Sequence, residues 1–230
     1  WTTMDPLCEK YHSVSPYAYC HNNPVNRIDP DGRDDYYSVG GQFLFRDSKK
    51  TDRIIIRDLV SYSTKQQGWE FGPNPDTPIE QTVLSAEAYS KIFTNILSEM
   101  KDVDIYLLHN QSVSVVVSPN DYDIESTFND PYSAFSSEGV VNAATQHLNG
   151  VKKITACINY LGASDNRKLF ATLSNVQNLL GVHEYIGHGV KGWSGSNHKL
   201  VYKNQFKHPS WKRTTGYFKR QELSNYQKVK

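Results

Sequence analysis

The chain has 230 residues, 38% of them hydrophobic and 21% charged, which suits a globular unit with a real core and not a disordered chain. Three cysteines, Cys8, Cys20 and Cys157, with no C-x-x-C pair, speak against an even disulfide framework and against a cysteine-held metal. Net charge is +1 but uneven: from Lys191 onward ten Lys/Arg stand against one acid, Glu222, giving +9, while the other 15 Lys/Arg and 23 Asp/Glu leave −8.

The first 33 residues are dense in turn formers. They read Met4-Asp5-Pro6-Leu7, Tyr11, Ser15-Pro16-Tyr17-Ala18-Tyr19-Cys20, Asn22-Asn23-Pro24-Val25-Asn26 and Ile28-Asp29-Pro30-Asp31-Gly32-Arg33. Asn-Pro, Asp-Pro and Asp-Gly pairs force turns and break helices. The stretch closely resembles the end of the Rhs repeat-associated core, a β-shell of tyrosine-rich repeats. That resemblance implies that the Asp-Pro-x-Gly element closes the core, that some members cleave themselves near it, and that a variable C-terminal domain follows, often a toxin. It also implies a secreted or cell-surface bacterial polypeptide, a cargo delivered into a target cell, and a cognate immunity protein as partner. The sequence opens at Trp1 without a starting methionine and reads as a piece of a longer polypeptide.

Between residues 34 and 58, the runs Tyr36-Tyr37, Phe43-Leu44-Phe45 and Ile54-Ile55-Ile56 predict a hairpin or small sheet. Residues 66–78 hold three prolines and two glycines and predict a loop. This divides the chain into 1–33, 34–78 and 79–230. Leu84, Ala88, Ile92, Ile96 and Met100 recur every four residues, with Phe93 and Leu97 widening the face, so a helix is expected over 82–100 with Ser85 as its cap. Strands are expected at 105–109, ending on His109, and at 113–117. The acids Asp121, Asp123, Glu125 and Asp130 fall in a polar stretch, 121–137, read as a solvated loop. Residues 139–148 suit a strand or a short helix. Ile154, Ala156, Ile158 and Tyr160 alternate with Thr155, Cys157 and Asn159, which predicts a strand over 152–160. Cys157 reads as a core or edge thiol.

The chemistry concentrates in His183-Glu184-Tyr185-Ile186-Gly187-His188-Gly189. Neutral imidazole is a good zinc ligand, and a carboxylate beside a metal-activated water can take its proton. The usual spacing, H-E-x-x-H, sets both rings on one helix face. Here one residue is added. Five steps of a regular helix turn the second ring about 140° from the first, against about 40° for four. A one-residue π-bulge restores the geometry, and Gly187 sits where a distorted turn costs least. Leu169, Phe170, Leu173, Val176, Leu180 and His183 form one face of a helix expected from about residue 165. Ser164 or Asp165 is its expected N-cap, and Gly189 and Gly192 its end. That face continues onto Gly187, so the same bulge is needed. The spacing resembles the H-E-x-x-G-H helix of the dipeptidyl peptidase III family of zinc exopeptidases, which implies two histidine ligands and a glutamate base. The likeness covers six residues, and that family's second motif, a glutamate pair on a following helix, is absent.

A sheet followed by an active-site helix resembles the zincin architecture, which implies an edge strand along the cleft able to pair with an extended peptide; 152–160 is the expected edge strand. The expected fold is therefore α+β: a zincin-like domain with a mixed sheet and an active-site helix, preceded by a turn-rich Rhs-core tail and a small β-hairpin region. Catalytic zinc takes three protein ligands. After His183 and His188, the third is sought first in His198, past Gly192 and Gly195, then in His208, then in Glu222. The expected function is zinc-dependent hydrolysis of a protein or peptide substrate. Glu184 is the general base, and Tyr202 or Tyr217 steadies the oxyanion.

Two other readings stay open. Trp193, Trp211, Tyr217 and Phe218 among the C-terminal lysines could stack bases while the lysines hold phosphate, as in a metal-dependent nuclease toxin. Alternatively, the region is a non-catalytic interaction module whose basic segment meets an acidic partner or packs on the acidic body. No apolar run has the length of a membrane span.

Overall fold

The computed structural model describes residues 34–63, 68–72, 75–103, 113–119, 142–148 and 151–229. The Rhs-like segment 1–33, the strand expected at 105–109 with His109, and the loop expected at 121–137 lie outside the described residues.

The fold is mixed α+β, with small sheets and several helices. β1 (Asp35–Ser38) and β2 (Phe43–Arg46) make the expected hairpin, and β3 (Ile54–Arg57) runs parallel to β1 on its other side. The stretch expected as a loop contributes strands as well. β4 (Leu59–Ser63) pairs with β5 (Gly68–Phe71), and β6 (Thr77–Pro78) returns antiparallel to β3. Its prolines do not oppose this, because none falls inside β5 and Pro78 lies on the edge strand of its sheet, where a ladder donor is dispensable.

Helix α1 (Ala86–Ser98) starts as expected, with Ser85 Oγ accepting a bond from Ala88 N at 3.2 Å. It buries Ala88, Tyr89, Ile92, Phe93, Ile96 and Leu97, the face drawn by the four-residue repeat. A second sheet holds β7 (Ser114–Ser118), β8 (Ala143–Leu148) and β9 (Val151–Asn159) in the order β7-β9-β8. β9, expected at an edge, is instead the centre, parallel to β7 and antiparallel to β8. The physical reason lies in its alternate positions: Thr155, Cys157 and Asn159 are as buried as Ile154, Ala156 and Ile158, so both faces are covered. Among the described residues β8 is an edge of this sheet.

Two 3₁₀ turns, Gly162–Ser164 and Arg167–Phe170, come before the long helix α2, which begins as Leu173–Val176 and continues as Gln177–Val190. Its cap is Thr172, whose Oγ1 accepts from Asn175 N at 3.2 Å, and neither Ser164 nor Asp165. Asp165 is engaged otherwise, accepting from Arg167 N at 3.1 Å and pairing with the Arg167 guanidinium at 2.9 Å. Asp52, held at φ 61°, completes the helix start: its carbonyl accepts from Leu173 N and its carboxylate from Ser174 N. Three of the free N–H groups at the first turn are thereby satisfied.

Helices α3 (His198–Lys207), α4 (Pro209–Arg213) and α5 (Gly216–Lys228) close the described chain. One core joins Tyr37, Ile54 and Ile56 of the first sheet to α1, to Ile154 and Ile158 of β9, to Val176, Leu180 and Val182 of α2, and to Phe218 of α5. It takes in residues from both sides of position 78. Among the described residues no helix is long and apolar enough to cross a membrane.

Candidate metal centre

Over Gln177–Val190 helix α2 adopts the wide turn of a π-helix, in which residue i+5 comes back over residue i. His183 and His188 therefore share a face, with ring centroids 5.1 Å apart. A single bulge was the minimum the spacing required; the wide turn extends over 14 residues. Helix α3 packs closely against it. A Cβ on Gly187 would lie 2.6 Å from Val201 Cγ1, so the absence of a side chain there admits α3 to the face that carries the histidines.

Beyond α2 the chain reverses at Gly192, at φ 64°, with Trp193 N donating to Gly187 O at 3.1 Å. A 3₁₀ turn, Gly195–Asn197, then delivers His198 at the first position of α3. His198 Nε2 lies 3.3 Å from His183 Nε2, and its ring is 4.9 Å from that of His188. One nitrogen from each of His183, His188 and His198 falls within 4.8 Å of the others, so these three histidines lie close enough to bind a metal ion. The other two candidates for third ligand are placed elsewhere. His208 caps α4, with Nδ1 2.8 Å from Ser210 Oγ and Nε2 3.3 Å from Asp102. Glu222 stands behind the site on α5, where its Oε2 accepts from Gln205 Nε2 at 2.8 Å.

Hydrogen bonding sets the ring tautomers. Trp193 O can only accept, so His188 Nδ1, 2.5 Å away, carries the proton. His183 Nδ1 lies 2.9 Å from Gln205 Oε1, whose amide is oriented by giving its NH₂ to Glu222. Both assignments leave the Nε2 lone pairs turned toward the shared space. Burial, then the nearby His188, holds the His183 ring well below the ordinary histidine pKa, and the same causes bring His198 down to about 4. Both are neutral at neutral pH, the form a metal requires.

Glu184 is buried beside these rings, and Thr145 Oγ1 on β8 donates to its Oε2 at 2.8 Å. Burial raises the carboxyl pKa, while His188 and the Thr145 bond work against the rise. Tyr202 packs edge-on against His183 at 4.7 Å and, tilted, against His198 at 5.1 Å. Its phenol is pushed well above the usual tyrosine range by burial, and further by Glu222 and Glu184. Tyr217 lies over Lys168, its ring 5.9 Å from the ammonium. Cys157 is fully buried, with its thiol pushed up to about 12 by burial and by Glu184, as befits a core thiol.

Sequence reasoning missed Thr145, Gln205 and the part played by the Trp193 carbonyl. Trp193 acts through its backbone, which carries no signal. Gln205 follows His198 by seven residues, two helical turns, and so falls on the same inward face; that spacing was a usable sign. Compared with known proteins, the chain matches no family model, no curated sequence and no solved structure.

Proposed function

We propose that this chain is a zinc-dependent hydrolase that cleaves peptide bonds in a protein substrate, with a zincin-like arrangement of sheet and helix. The observation that carries the reading is the meeting of His183, His188 and His198 beside buried Glu184. Zinc–nitrogen bonds of about 2.0–2.1 Å in tetrahedral geometry place ligand nitrogens roughly 3.3–3.4 Å apart. The His183 and His198 Nε2 atoms are 3.3 Å apart. Three imidazoles with no carboxylate in the ligand group suit zinc better than a hard cation that takes oxygen ligands, which also weighs against the nuclease reading.

Zinc bound there would polarise a substrate carbonyl and make a water more acidic. Glu184, oriented by Thr145, takes the water proton on its carboxylate and passes it to the leaving amine. Tyr202, protonated beside the His183 and His198 rings, offers an O–H to the developing oxyanion. The strand suited to hold an extended peptide is β8, which carries Thr145 and lies at the sheet edge among the described residues. Combined with the Rhs-like opening, this supports an effector or toxin domain of a secreted bacterial polypeptide, restrained in its producer by an immunity protein.

Elemental analysis is the test. About one zinc per chain is expected in the wild type, lost in His183→Ala, His188→Ala and His198→Ala, as a three-ligand site requires. A wild type that takes up no zinc on reconstitution overturns the reading.

A further inference from the structure

Behind the histidines lies a line of buried polar groups that no catalytic step uses. Gln205 is 0% exposed and Glu222 1% exposed. Gln205 sits on α3 and Glu222 on α5, so three elements meet in the line His183–Gln205–Glu222. Its bonds are 2.9 and 2.8 Å. The second carboxylate oxygen of Glu222 accepts from Asn225 Nδ2 at 3.5 Å. Gln205 is anchored by its backbone too, its carbonyl accepting from the buried Asn178 amide at 3.2 Å.

A buried carboxylate is costly unless a cation compensates it. Among the described residues Glu222 makes no ion pair, and its neighbours are neutral amides. Glu184 is in the same position, with a hydroxyl as its hydrogen-bond partner. Two buried carboxyl groups thus flank three imidazoles. Packing alone gives no reason for a glutamate at 222, because a glutamine has the same shape and could make similar bonds. A divalent cation on the far side of His183 gives one. A negative charge behind Nδ1 holds the ring in one tautomer and makes its Nε2 a stronger donor to metal.

We infer that Gln205 and Glu222 are positioning residues for the metal centre: Glu222 supplies the charge, and Gln205 relays it to His183 Nδ1 and fixes the ring. The inference rests on the metal reading above. It adds that a helix far from the ligands in sequence, α5, takes part in setting metal affinity.

Zinc titration against a chromophoric competitor, with thermal melting of the metal-free protein, tests it on Glu222→Gln and Gln205→Met. The expected result is a zinc Kd raised about 10–100-fold in both. Metal-free Glu222→Gln should melt no lower than the wild type, because the substitution removes a buried charge. A purely structural role would lower the metal-free melting temperature and leave the Kd unmoved. Folded variants with the wild-type Kd overturn the inference while the metal site stands. A wild type that binds no zinc overturns the metal reading, and this inference with it. Should Glu222→Gln fail to fold, Gln205→Met decides.

Discussion

Asp35 in the first sheet and Glu222 behind the histidines are both buried carboxylates in α+β surroundings, but their neighbours differ. Asp35 is spanned by the Arg46 guanidinium, which bonds both of its oxygens and also reaches Glu99 at 2.7 Å. The chain supplies the cation there, so the cluster ties β1 and β2 to the end of α1. Around Glu184 and Glu222 the chain supplies hydroxyl and amide groups, with three imidazoles nearby. The first pattern is that of a scaffold. In the second, carboxyl groups are buried with no positive side chain paired to them among the described residues, beside three histidines close enough to bind a metal, and the proposed cation would supply the missing positive charge.

The sharpest way to break the contrast is Glu184→Gln. Hydrolysis of a protein substrate should fall by about 10²–10⁴-fold, the range of a lost general base, while zinc content stays at the wild-type level. If zinc is lost along with activity, Glu184 belongs to the seat and not to the chemistry. Next comes Arg46→Met, which strands Asp35. It should cost about 3–5 kcal/mol in urea unfolding and leave zinc affinity unchanged.

A third effect concerns pH. Burial raises the Glu222 carboxyl to about 7 from its ordinary 4.5, the Gln205 bond opposing the rise. The folded, metal-free protein therefore holds this proton more tightly than the unfolded chain does. The resulting stability is full below pH 4.5 and is lost as pH rises through 7, a change of about 3 kcal/mol. The Glu184 rise acts in the same direction. Melting of chelator-treated protein should accordingly be higher at pH 5 than at pH 8. Glu222→Gln should flatten that slope, and zinc should reduce it. An unchanged slope in the variant would show that Glu222 is not the group responsible.

The smallest expected effect is Gly187→Ala. Its new methyl would meet Val201 Cγ1, costing about 1–3 kcal/mol and pushing α3 with His198 outward. Zinc affinity should weaken and recover in the double variant with Val201→Ala. Weakening that persists in the double variant would place the cause in α2 itself.

What was legible in the sequence was mostly local. Helix α1 follows from a four-residue apolar repeat with Ser85 before it, and both are there. The His183–His188 spacing demanded a wider turn, and α2 has one. His198 was reachable because Gly192 and Gly195 permit the reversal, and both have positive φ. The rest depends on partners far along the chain. Asp52 meets the start of α2 across 122 residues, which no cap rule detects. The place of β9 in its sheet depends on what covers Thr155 and Cys157, not on alternation. Glu222 attracted notice as an acid in a basic segment, but its partner is a glutamine, a residue type that carries no metal signal.

The two candidate ligands on α2 are oriented by different kinds of group. His188 answers to a main-chain carbonyl, that of Trp193, and His183 to a side chain, Gln205. A carbonyl survives any substitution at its own position, whereas an amide can be exchanged for an acid, a hydroxyl or nothing. Point mutation can therefore strengthen or weaken the hold of His183 in graded steps, while the orientation of His188 changes only if the turn at Gly192 does. Evolution has been given a fixed post and an adjustable one, and the geometry of the histidine cluster can drift through the second without the first being disturbed.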